Sequence, residues 1–505
     1  MTEKSNILDY LEQTQELFRN KTAVEDNNSS LTYYELVQKA RQIGSGLARR
    51  VPPGSPVPVL MEKSPLTLAA MLGAVYAGCF YVPVNPDNPP QRLKKILQVL
   101  DPSVIVTDQE NAGMLGGTGF EKARLDVGKL LTEETDESLL AEIREKSRES
   151  DILYALFTSG STGVPKAVAV SHEAVLRFIG HFVDIFGISH EDRVGNQAPF
   201  DFDVSVKDIY SCIMTGADLV LIPKTYFATP PRLLDYLCKK EVTTMIWAVS
   251  ALTLVSSLKG LDYRVPESVD KILFSGEAMP PKQLRMWQDA LPDARFVNLY
   301  GPTEVTCNCT YYKIERRYSD DEKIPIGRAF PGRTVFLMDE DGREIAAPGQ
   351  TGEICAAGES LALGYYRNRE QTAERFVSFQ VSGENRQRIY KTGDLGYYDD
   401  GGNLVFAGRK DFQIKHMGHR IELEEVESAM NSARGVTKSC CVFDREKNRI
   451  SGFYMGEAQP SEVRKYMKDK VPVYMVPSRI KQVAVMPLNK NGKTDRSYFQ
   501  RLASE

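Results

Sequence analysis

The segment that most constrains the fold is 66–84, LTLAAMLGAVYAGCFYVPV, which carries no charged residue. Its length is sufficient to cross a membrane. Gly78, however, separates a half rich in Ala, Leu and Met from a half rich in aromatic and β-branched residues. This pattern favours a buried helix, a glycine C-cap and a buried strand over a membrane span. A helix that leads into a buried strand is typical of an α/β protein.

Helix and strand patterns alternate in the N-terminal part of the chain. Between residues 31 and 50 apolar residues recur at helical spacing, and Thr32 and Glu35 have the spacing of a capping box. The strand-like runs DLVLIP, KILFSG and FVNLYG alternate with helical stretches such as PPKQLRMWQDAL. We therefore predict a largely parallel sheet covered by helices.

The pattern changes from about residue 325 to short β runs and turns, which predict a β-rich subdomain with hairpins at Asp341-Gly342 and Gly401-Gly402. After GRKD (408–411) comes a small α+β pattern, in which helix LEEVESAMNSA, strands SCCVFD and ISGFYMG and helix SEVRKYMKDKV follow one another. We place a domain boundary there. We expect residues 1–410 to form a large multi-layer α/β domain and residues 411–505 to form a small α+β domain.

Composition excludes several functional classes. A chain of 505 residues is long enough for two or more domains, and 63 basic against 67 acidic residues give no general attraction for nucleic acid or membranes. From Arg409 onward, 19 basic against 12 acidic residues give +7, which is compatible with a surface that faces phosphates or an acidic partner. A solvated surface of mixed charge is the alternative for most of these residues. Eight cysteines without a C-x-x-C pair, and a start, MTEKSNILDY, without a signal peptide, predict a cytoplasmic protein with no membrane insertion.

The run FTSGSTGVPKAV (157–168) is a candidate phosphate-binding loop, because glycine amides and hydroxyls can surround an anion. It is not a P-loop, since two residues separate Gly163 from Lys166 and Ala167 stands where a hydroxyl is required. A polar loop without a ligand is the alternative. The candidate residues are Thr158, Ser159, Gly160, Ser161, Thr162, Gly163 and Lys166.

Four further motifs follow this loop. NLYGPTE (298–304) comes after a predicted strand, at a position where α/β sheets bind ligands. Taken singly, its Glu304 and the later Asp394 have an alternative role as caps, and Lys493 as a solvated lysine. The motifs NLYGPTE, YKTGD, GRKD and NGKTDR supply Tyr300, Thr303, Glu304, Asp394, Arg409, Asp411 and Lys493.

In this order the motifs resemble the adenylate-forming superfamily, in particular the amino-acid adenylation domains of nonribosomal peptide synthetases and the freestanding D-alanine–carrier protein ligases. The resemblance extends from LTYYEL to NGKTDR, nearly the whole chain. It implies an ATP-dependent, AMP-forming ligase that makes an acyl-adenylate and pyrophosphate. It also implies a mobile C-terminal domain hinged at Asp411, beside the boundary placed above.

The resemblance assigns ATP and Mg²⁺ to named residues. Lys493, Glu304 and Thr303 would be catalytic, with Mg²⁺ on Glu304, and the loop from Thr158 to Lys166 would hold the β and γ phosphates. The family usually has glycine where this chain has Ala167, so we expect slightly altered motion of the loop. The remaining nucleotide contacts would be Gly276, Glu277, Ala278, Asn298, Tyr300 and Gly301 for the adenine side, and Asp394 and Arg409 for the ribose.

The resemblance also implies an amino acid substrate, because Asp203 in PFDFDVSVKDIY matches the aspartate that binds the α-ammonium; a helix N-cap is the alternative role. Lys207 favours a side chain that is acidic or carries a carbonyl, unless it pairs with Asp203 one helical turn away. Lys207 and Ser275 replace the apolar residue and cysteine expected for D-alanine, which puts D-alanine in doubt. The implied pocket walls are Val204, Lys207, Ile246, Leu273, Ser275, Leu299, Cys307 and Asn308.

In the second half-reaction the family transfers the acyl group to a phosphopantetheine thiol, and a loop with Lys415, Gly418 and Arg420 then replaces Lys493 in the site. LGGTG (115–119) lacks the serine that a carrier needs, so we expect a separate, acidic carrier protein and a role in nonribosomal peptide synthesis. The alternatives are D-alanine loading for teichoic acid and a catalytically inactive nucleotide-binding relative. Asp203 disfavours an acyl-CoA synthetase, and the acidic N-terminal part disfavours nucleic-acid binding.

Overall fold

The computed structural model describes residues 6–160, 164–381, 386–444, 447–488 and 494–504. The α-helices of these residues are α1 Ile7–Leu17, α2 Tyr33–Ala48, α3 Pro65–Tyr76, α4 Pro90–Leu100, α5 Val127–Leu130, α6 Glu137–Lys146, α7 His172–Phe186, α8 Val204–Thr215, α9 Pro230–Lys239, α10 Val249–Ser257, α11 Gly260–Tyr263, α12 Pro281–Ala290, α13 Arg369–Arg375, α14 Leu423–Asn431, α15 Pro460–Lys468 and α16 Arg496–Ser504. Short 3₁₀ helices are Ala112–Leu115, Glu121–Ala123, Lys224–Ala228, Thr303–Val305 and Val473–Met475.

The strands are β1 Thr22–Glu25, β2 Ser30–Thr32, β3 Pro56–Leu60, β4 Phe80–Val84, β5 Ile105–Thr107, β6 Arg124–Asp126, β7 Ile152–Thr158, β8 Lys166–Ser171, β9 Arg193–Asn196, β10 Asp218–Leu221, β11 Thr244–Ala248, β12 Lys271–Ser275, β13 Arg295–Tyr300 and β14 Thr310–Lys313. They continue with β15 Arg328–Ala329, β16 Arg333–Met338, β17 Glu344–Ile345, β18 Gly352–Gly358, β19 Gly364–Tyr365, β20 Phe376–Gln380, β21 Arg386–Tyr398, β22 Leu404–Arg409, β23 Gln413–His416, β24 His419–Glu422, β25 Val436–Asp444, β26 Arg449–Gly456 and β27 Arg479–Gln482.

A nine-stranded sheet has the order β15-β14-β13-β12-β11-β9-β10-β1-β2. The strands from β13 to β1 in this order pair in parallel, and antiparallel strands close both edges. The runs DLVLIP and KILFSG contain β10 and β12, and FVNLYG contains all of β13 except its first residue, Arg295, so the predicted parallel sheet is confirmed. The carboxyl ends of β11, β12 and β13 lie at one edge, where open α/β sheets bind ligands.

A seven-stranded sheet has the order β19-β8-β7-β4-β3-β5-β6. The charge-free segment supplies α3 and β4 to it, and Gly78 follows the helix with a left-handed φ of 69°. The predicted helix, glycine cap and strand are thus confirmed. Over the described residues, the search for a helix of sufficient length and apolarity to span a membrane finds none. In this sheet β7 and β8 are antiparallel, which brings the two ends of the candidate phosphate loop together.

The β-rich subdomain is a six-stranded antiparallel sheet, ordered β17-β16-β18-β21-β20 with β22 on β21. Its hairpins turn at Asp341-Gly342 and Gly401-Gly402, as predicted. Beyond residue 412, β23 and β24 form a separate hairpin, and β25, β26 and β27 form a sheet that packs with α14. These C-terminal elements have their own apolar cluster, which includes Ile421, Val426 and Met430. Strand β27 and helix α16 were not predicted.

Helix caps confirm the local sequence signals. Thr32 caps α2 by accepting a hydrogen bond from the Glu35 N–H, and the Glu35 carboxylate accepts one from the Thr32 N–H. The apolar face of α2 packs against α3, and both helices belong to the large buried cluster that also holds residues of the first two sheets. Burial of this shared core fixes the position of the strand ends that form the site.

Candidate functional site

The NLYGPTE motif forms a tight turn at the end of β13. A Cβ atom on Gly301 would lie 2.5 Å from the Cα of Asn308, so only glycine allows the returning chain to pass this close. Thr306 and Cys307 then adopt left-handed φ values of 55° and 70°. Such values are unusual for residues with a side chain and cluster at functional sites. They reverse the chain, so that Asn308 lies against the strand ends.

Glu304 is fully buried at the base of this turn. Nη1 of Arg420 donates to both carboxylate oxygens, at 2.8 and 3.0 Å, and the Tyr365 hydroxyl donates to Oε1 at 2.8 Å. Burial raises the pKa of Glu304, but Arg420 and then Tyr365 outweigh it and hold the pKa below its usual value. Glu304 is therefore a charged carboxylate with a cation beside it, a contact that a capping role alone does not require.

A chain of polar contacts joins the YKTGD and GRKD motifs to Tyr300. The Tyr300 hydroxyl donates to Oδ2 of Asp394 at 2.6 Å, and Arg409 forms an ion pair with Oδ1 of Asp394. Arg409 also donates to both oxygens of Asp411, at 2.6 and 2.8 Å. Asp394 and Arg409 lie opposite each other on β21 and β22. Asn298 is nearby in β13, but its amide donates to a backbone oxygen, that of Pro325, at 2.8 Å.

The described part of the phosphate loop contacts the C-terminal elements. The Ser159 hydroxyl donates to the Arg420 carbonyl at 2.9 Å and accepts from the Glu422 N–H at 3.1 Å. The Gly160 N–H donates to Oε2 of Glu425 at 3.2 Å. Thr158 lies opposite Lys166, and its buried hydroxyl has no hydrogen-bond partner among the residues that the structure describes. Ser161, Thr162 and Gly163 lie outside the described residues, as does Lys493.

The hairpin of β23 and β24 carries the residues that the resemblance assigns to thioester transfer. The Gly418 N–H donates to Oε1 of Glu277 at 2.8 Å, and the Lys415 ammonium lies 6.0 Å from the centre of the Tyr300 ring. Gly276 precedes Glu277 with a left-handed φ of 98°, and the next residue, Ala278, is exposed. The hairpin therefore lies directly on the predicted nucleotide residues.

Asp203 is the residue immediately before α8, yet its side chain makes no capping hydrogen bond, so the N-cap alternative is wrong. Instead its Oδ2 accepts from the Thr303 hydroxyl at 2.7 Å. Burial raises the pKa of Asp203 and the Thr303 hydrogen bond opposes that rise. The two residues link the start of α8 to the NLYGPTE turn.

Four of the predicted pocket walls are buried apolar residues. Ile246 and Leu273 are paired neighbours on β11 and β12, and both belong to the same buried cluster as Leu299 of β13. Val204, the first residue of α8, is buried as well. Trp247 belongs to a different cluster, and its indole donates to the Gly195 carbonyl at 2.7 Å. The side chains of Ile246 and Leu273 therefore lie on the same side of the nine-stranded sheet.

Lys207 lies one turn after Asp203 and is buried, with 1% of its surface exposed. Its ammonium donates to Oδ1 of Asn308 at 2.7 Å and to the Ser275 hydroxyl at 3.3 Å. Within the described residues it forms no ion pair with Asp203. Three predicted pocket residues are thus in direct contact, and the alternative of a structural Lys207–Asp203 pair is not what the structure contains.

The sequence did not indicate several neighbours of the site. Tyr365 reaches Glu304, and Glu425 joins Gly160 to Arg92, whose guanidinium lies 2.8 Å from Oε1. The pairs are 61 to 333 residues apart, and no local pattern indicates such contacts. Asp208 is also buried, and burial raises its pKa to about 7. Its place beside Lys207 in VSVKDIY was a usable signal, since two adjacent charges inside a buried helix are rare.

The cysteines are all free, and those other than Cys238 are buried. The thiol of Cys307 donates to the Asp203 carbonyl at 3.1 Å, and burial raises its pKa well above the usual value. Among the described residues no group of three or more His, Cys, Asp or Glu side chains is arranged to hold a metal ion.

The sequence profile of the family described as AMP-binding enzyme matches residues 11–366. This chain belongs to that family. It is 30% identical over 492 residues to tyrocidine synthase 1 of Brevibacillus parabrevis, covering 96% of this chain and 44% of the synthase. It is also 30% identical over 498 residues to zwittermicin A synthase ZmaJ of Bacillus cereus, covering 96% of this chain and 93% of ZmaJ. This AMP-binding enzyme thus spans less than half of tyrocidine synthase 1.

Solved structures agree with the fold. PA1221, described as a nonribosomal peptide synthetase protein containing adenylation and PCP domains, superposes with a TM-score of 0.84 at 25% identity, covering 99% of this chain and 84% of PA1221. The Vibrio cholerae adenylation domain AlmE, solved with glycyl-adenosine-5′-phosphate, superposes with a TM-score of 0.85 at 23% identity, covering 100% of this chain and 99% of AlmE. The predictions of an adenylate-forming family, an α/β fold and an AMP-forming ligase are confirmed.

Proposed function

We propose that this protein activates an amino acid as its aminoacyl-adenylate and transfers the acyl group to the phosphopantetheine thiol of a separate carrier protein. The contact between Asp203 and Thr303 carries this proposal. It puts a carboxylate suited to an α-ammonium at the turn that also holds Tyr300 and Glu304. The names of tyrocidine synthase 1 and ZmaJ, and the glycyl-adenylate bound to AlmE, support an amino acid substrate and a role in peptide biosynthesis.

In the first half-reaction a carboxylate oxygen of the amino acid attacks the α-phosphorus of ATP. The bond from that phosphorus to the oxygen bridging to the β-phosphate breaks, and pyrophosphate leaves. Two anions meet, so cations are needed where charge develops. Lys166 at the end of the phosphate loop is one, and Lys493 is our candidate for a second. Asp394 and Arg409 would bind the ribose, and Tyr300 and Glu277 would lie along the adenine.

Glu304 fits a Mg²⁺ site, because this ion is usually bound by one or two carboxylates together with substrate phosphates. Its pKa is held low, so the carboxylate is charged and able to ligate. Bound Mg²⁺ would neutralise charge on the phosphate oxygens. Arg420 occupies both oxygens of Glu304 in this arrangement, so arginine and metal ion would bind there in turn.

In the second half-reaction the pantetheine thiol loses its proton and the sulfur attacks the acyl carbonyl carbon. The bond from that carbon to the AMP oxygen breaks, and AMP leaves. We propose that residues 411–505 move as a domain about Asp411, and that Gly418 leaves room for the pantetheine arm. The present contacts of Arg420 and Gly418 are those expected for this second state.

Amino-acid-dependent exchange of pyrophosphate into ATP tests the first half-reaction, with all proteinogenic amino acids and D-alanine as substrates. Asp203→Asn should lower the exchange at least about 30-fold for every amino acid, because a buried charge-assisted contact to the α-ammonium is lost. Asp208→Asn is the matched control. Asp208 is also a buried aspartate of α8, but it bonds to Asn196 at 2.7 Å, so exchange per folded molecule should change little.

Mass spectrometry of aminoacyl-pantetheine, with pantetheine as the acceptor thiol, tests the second half-reaction. If none of the amino acids supports exchange, the proposal is contradicted and an inactive relative is favoured. Exchange with a fatty or aryl acid that is insensitive to Asp203→Asn would assign an acyl-CoA synthetase instead. Preference for D-alanine would assign loading of the teichoic-acid type.

A further inference from the structure

Lys207 is one of the residues that the resemblance assigns to the pocket for the substrate side chain, and it is buried. Lys207 is a residue of α8, and its two hydrogen-bond acceptors come from β12 and from the reversed chain after Gly301. Those acceptors, Ser275 and Asn308, are themselves buried. Three separate elements thus hold one cation in a fixed position, as expected for a binding group.

The partners of this ammonium are neutral oxygens. Within the described residues no carboxylate lies within ion-pair distance of Lys207, although two acids are close in sequence. Asp203 accepts from Thr303, and Asp208 accepts from the Asn196 amide. Burial lowers the pKa of Lys207, while Cys307, Asp203 and Asp208 act in the opposite direction. A buried cation that has only neutral partners is costly unless an anion completes the pair.

Four of the predicted pocket walls are aliphatic and buried: Val204, Ile246, Leu273 and Leu299. A lysine ammonium has three donors, and the two protein acceptors use two of them. The third donor is the one through which a bound side chain would be recognised.

The two charged ends of the pocket have opposite sign. Asp203 and Lys207 are four residues apart at the start of α8, so their Cβ atoms lie about 6 Å apart on one face. An amino acid that complements both ends has its α-ammonium at Asp203 and a negative group at Lys207. Its α-carboxylate remains available for the reaction with ATP.

We infer that the amino acid activated by this protein is an α-amino dicarboxylate, and that Lys207, supported by Asn308 and Ser275, binds its side-chain carboxylate. This inference rests on the proposed function and names the substrate class for it. A neutral amide of the same shape would leave the buried ammonium without an anion.

The test compares each acid with its own amide in the pyrophosphate exchange assay: aspartate with asparagine and glutamate with glutamine, together with 2-aminoadipate and both enantiomers of each acid. For the wild-type protein, kcat/KM for the preferred acid should exceed that for its amide at least about 30-fold. Lys207→Gln should reduce this ratio to about 1 or invert it, because the substituted amide can serve as a partner for an amide.

Lys271→Met is the matched control. Lys271 is also a buried lysine, but it pairs with Asp192 at 2.8 Å and Asp270 at 3.0 Å on the far end of β12. It should lower stability without changing the ratio. Because the ratio is taken within one preparation, it does not depend on the fraction of protein that folds.

Three results would overturn the inference. If the wild-type protein prefers a neutral amino acid in the exchange assay, an acidic substrate is excluded, even if no variant can be purified. An acid preference that survives Lys207→Gln removes Lys207 from recognition. The third result is that none of the amino acids supports exchange, and it overturns the inference together with the proposed function. The first two results leave that function intact.

Discussion

Replacement of Arg420 by glutamine is expected to slow thioester transfer far more than adenylation. On the proposed movement of residues 411–505, the Arg420–Glu304 ion pair would exist only in the arrangement in which the hairpin of β23 and β24 lies in the site. In the proposed adenylation state Glu304 would bind Mg²⁺ and Arg420 would be elsewhere. The substitution therefore destabilises one arrangement and leaves the other unchanged.

The structure sets the size of the effect. Glu304 is fully buried, the Arg420 side chain is 18% exposed, and one guanidinium nitrogen reaches both carboxylate oxygens within 3.0 Å. Loss of one partner from such a pair costs about 2–5 kcal/mol. At about 1.4 kcal/mol per factor of ten, the transfer arrangement should become roughly 30-fold to several thousand-fold less populated.

Pyrophosphate exchange measures adenylation, and mass spectrometry of aminoacyl-pantetheine measures transfer, on the same preparation of Arg420→Gln. Exchange should stay within about threefold of the wild type while transfer falls at least about 30-fold. Arg193→Gln is the control, because Arg193 is ion-paired to Glu25 and Asp218 within the nine-stranded sheet and does not touch the hairpin. A loss of both activities by the same factor in Arg420→Gln would refute the reasoning.

Three further predictions concern single residues. Asp394→Asn should raise the KM for ATP about tenfold or more, since hydrogen bonds to a charged group are lost at the ribose position; exchange rates against ATP concentration measure this. His172 accepts from the Ile7 N–H at 3.3 Å, and burial lowers its pKa from 6.5 to about 3. The contribution of neutral His172 to stability is therefore complete above pH 6.5 and is lost as the pH falls toward 3. Between pH 7.5 and 5.5 the free energy of unfolding, measured with urea, should therefore fall by about 1 kcal/mol less for His172→Gln than for the wild type. Gly301→Ala should cost about 1–3 kcal/mol, because the new methyl meets the Asn308 backbone, and should abolish most exchange activity.

A specific result would contradict each of these three predictions. An unchanged KM for ATP in Asp394→Asn would remove this carboxylate from nucleotide binding. Equal acid sensitivity of His172→Gln and the wild type would mean that protonation of His172 does not destabilise the fold; His419, also buried with a pKa lowered to about 3, is present in both proteins. Wild-type stability of Gly301→Ala would show that the turn relaxes without cost.

Most of the fold could be predicted because its signals are local. The capping box at Thr32, the glycine after α3 and the hairpin turns each involve only a few consecutive residues, and the structure has them as predicted. Strand β27 has four residues, two of them exposed, and α16 buries only Phe499 and Ala503. Neither element has enough buried positions for a clear period, which explains why both were missed.

The candidate site also contains contacts that could be predicted from the sequence and contacts that could not. Motifs predicted which residues would assemble, and the contacts among Tyr300, Asp394 and Arg409 agree with that expectation. The contact between Gly160 and Glu425 was not predictable, since it depends on how the C-terminal elements pack on the seven-stranded sheet. The direction of Lys207 was open as well, because helical spacing allowed a pair with Asp203. Its partners in the structure, Ser275 and Asn308, are distant in sequence and could not be predicted from a local pattern.

The burial of Cys307 bears on side reactions. An acyl-adenylate is a mixed anhydride that acylates thiolates, and on the proposed function it would form next to Asp203, whose carbonyl accepts from the Cys307 thiol. Only the thiolate is strongly nucleophilic, and the raised pKa keeps this sulfur protonated. The enzyme would therefore carry a thiol beside its own activated product without modifying itself, and the acyl group would persist until an external thiol arrives.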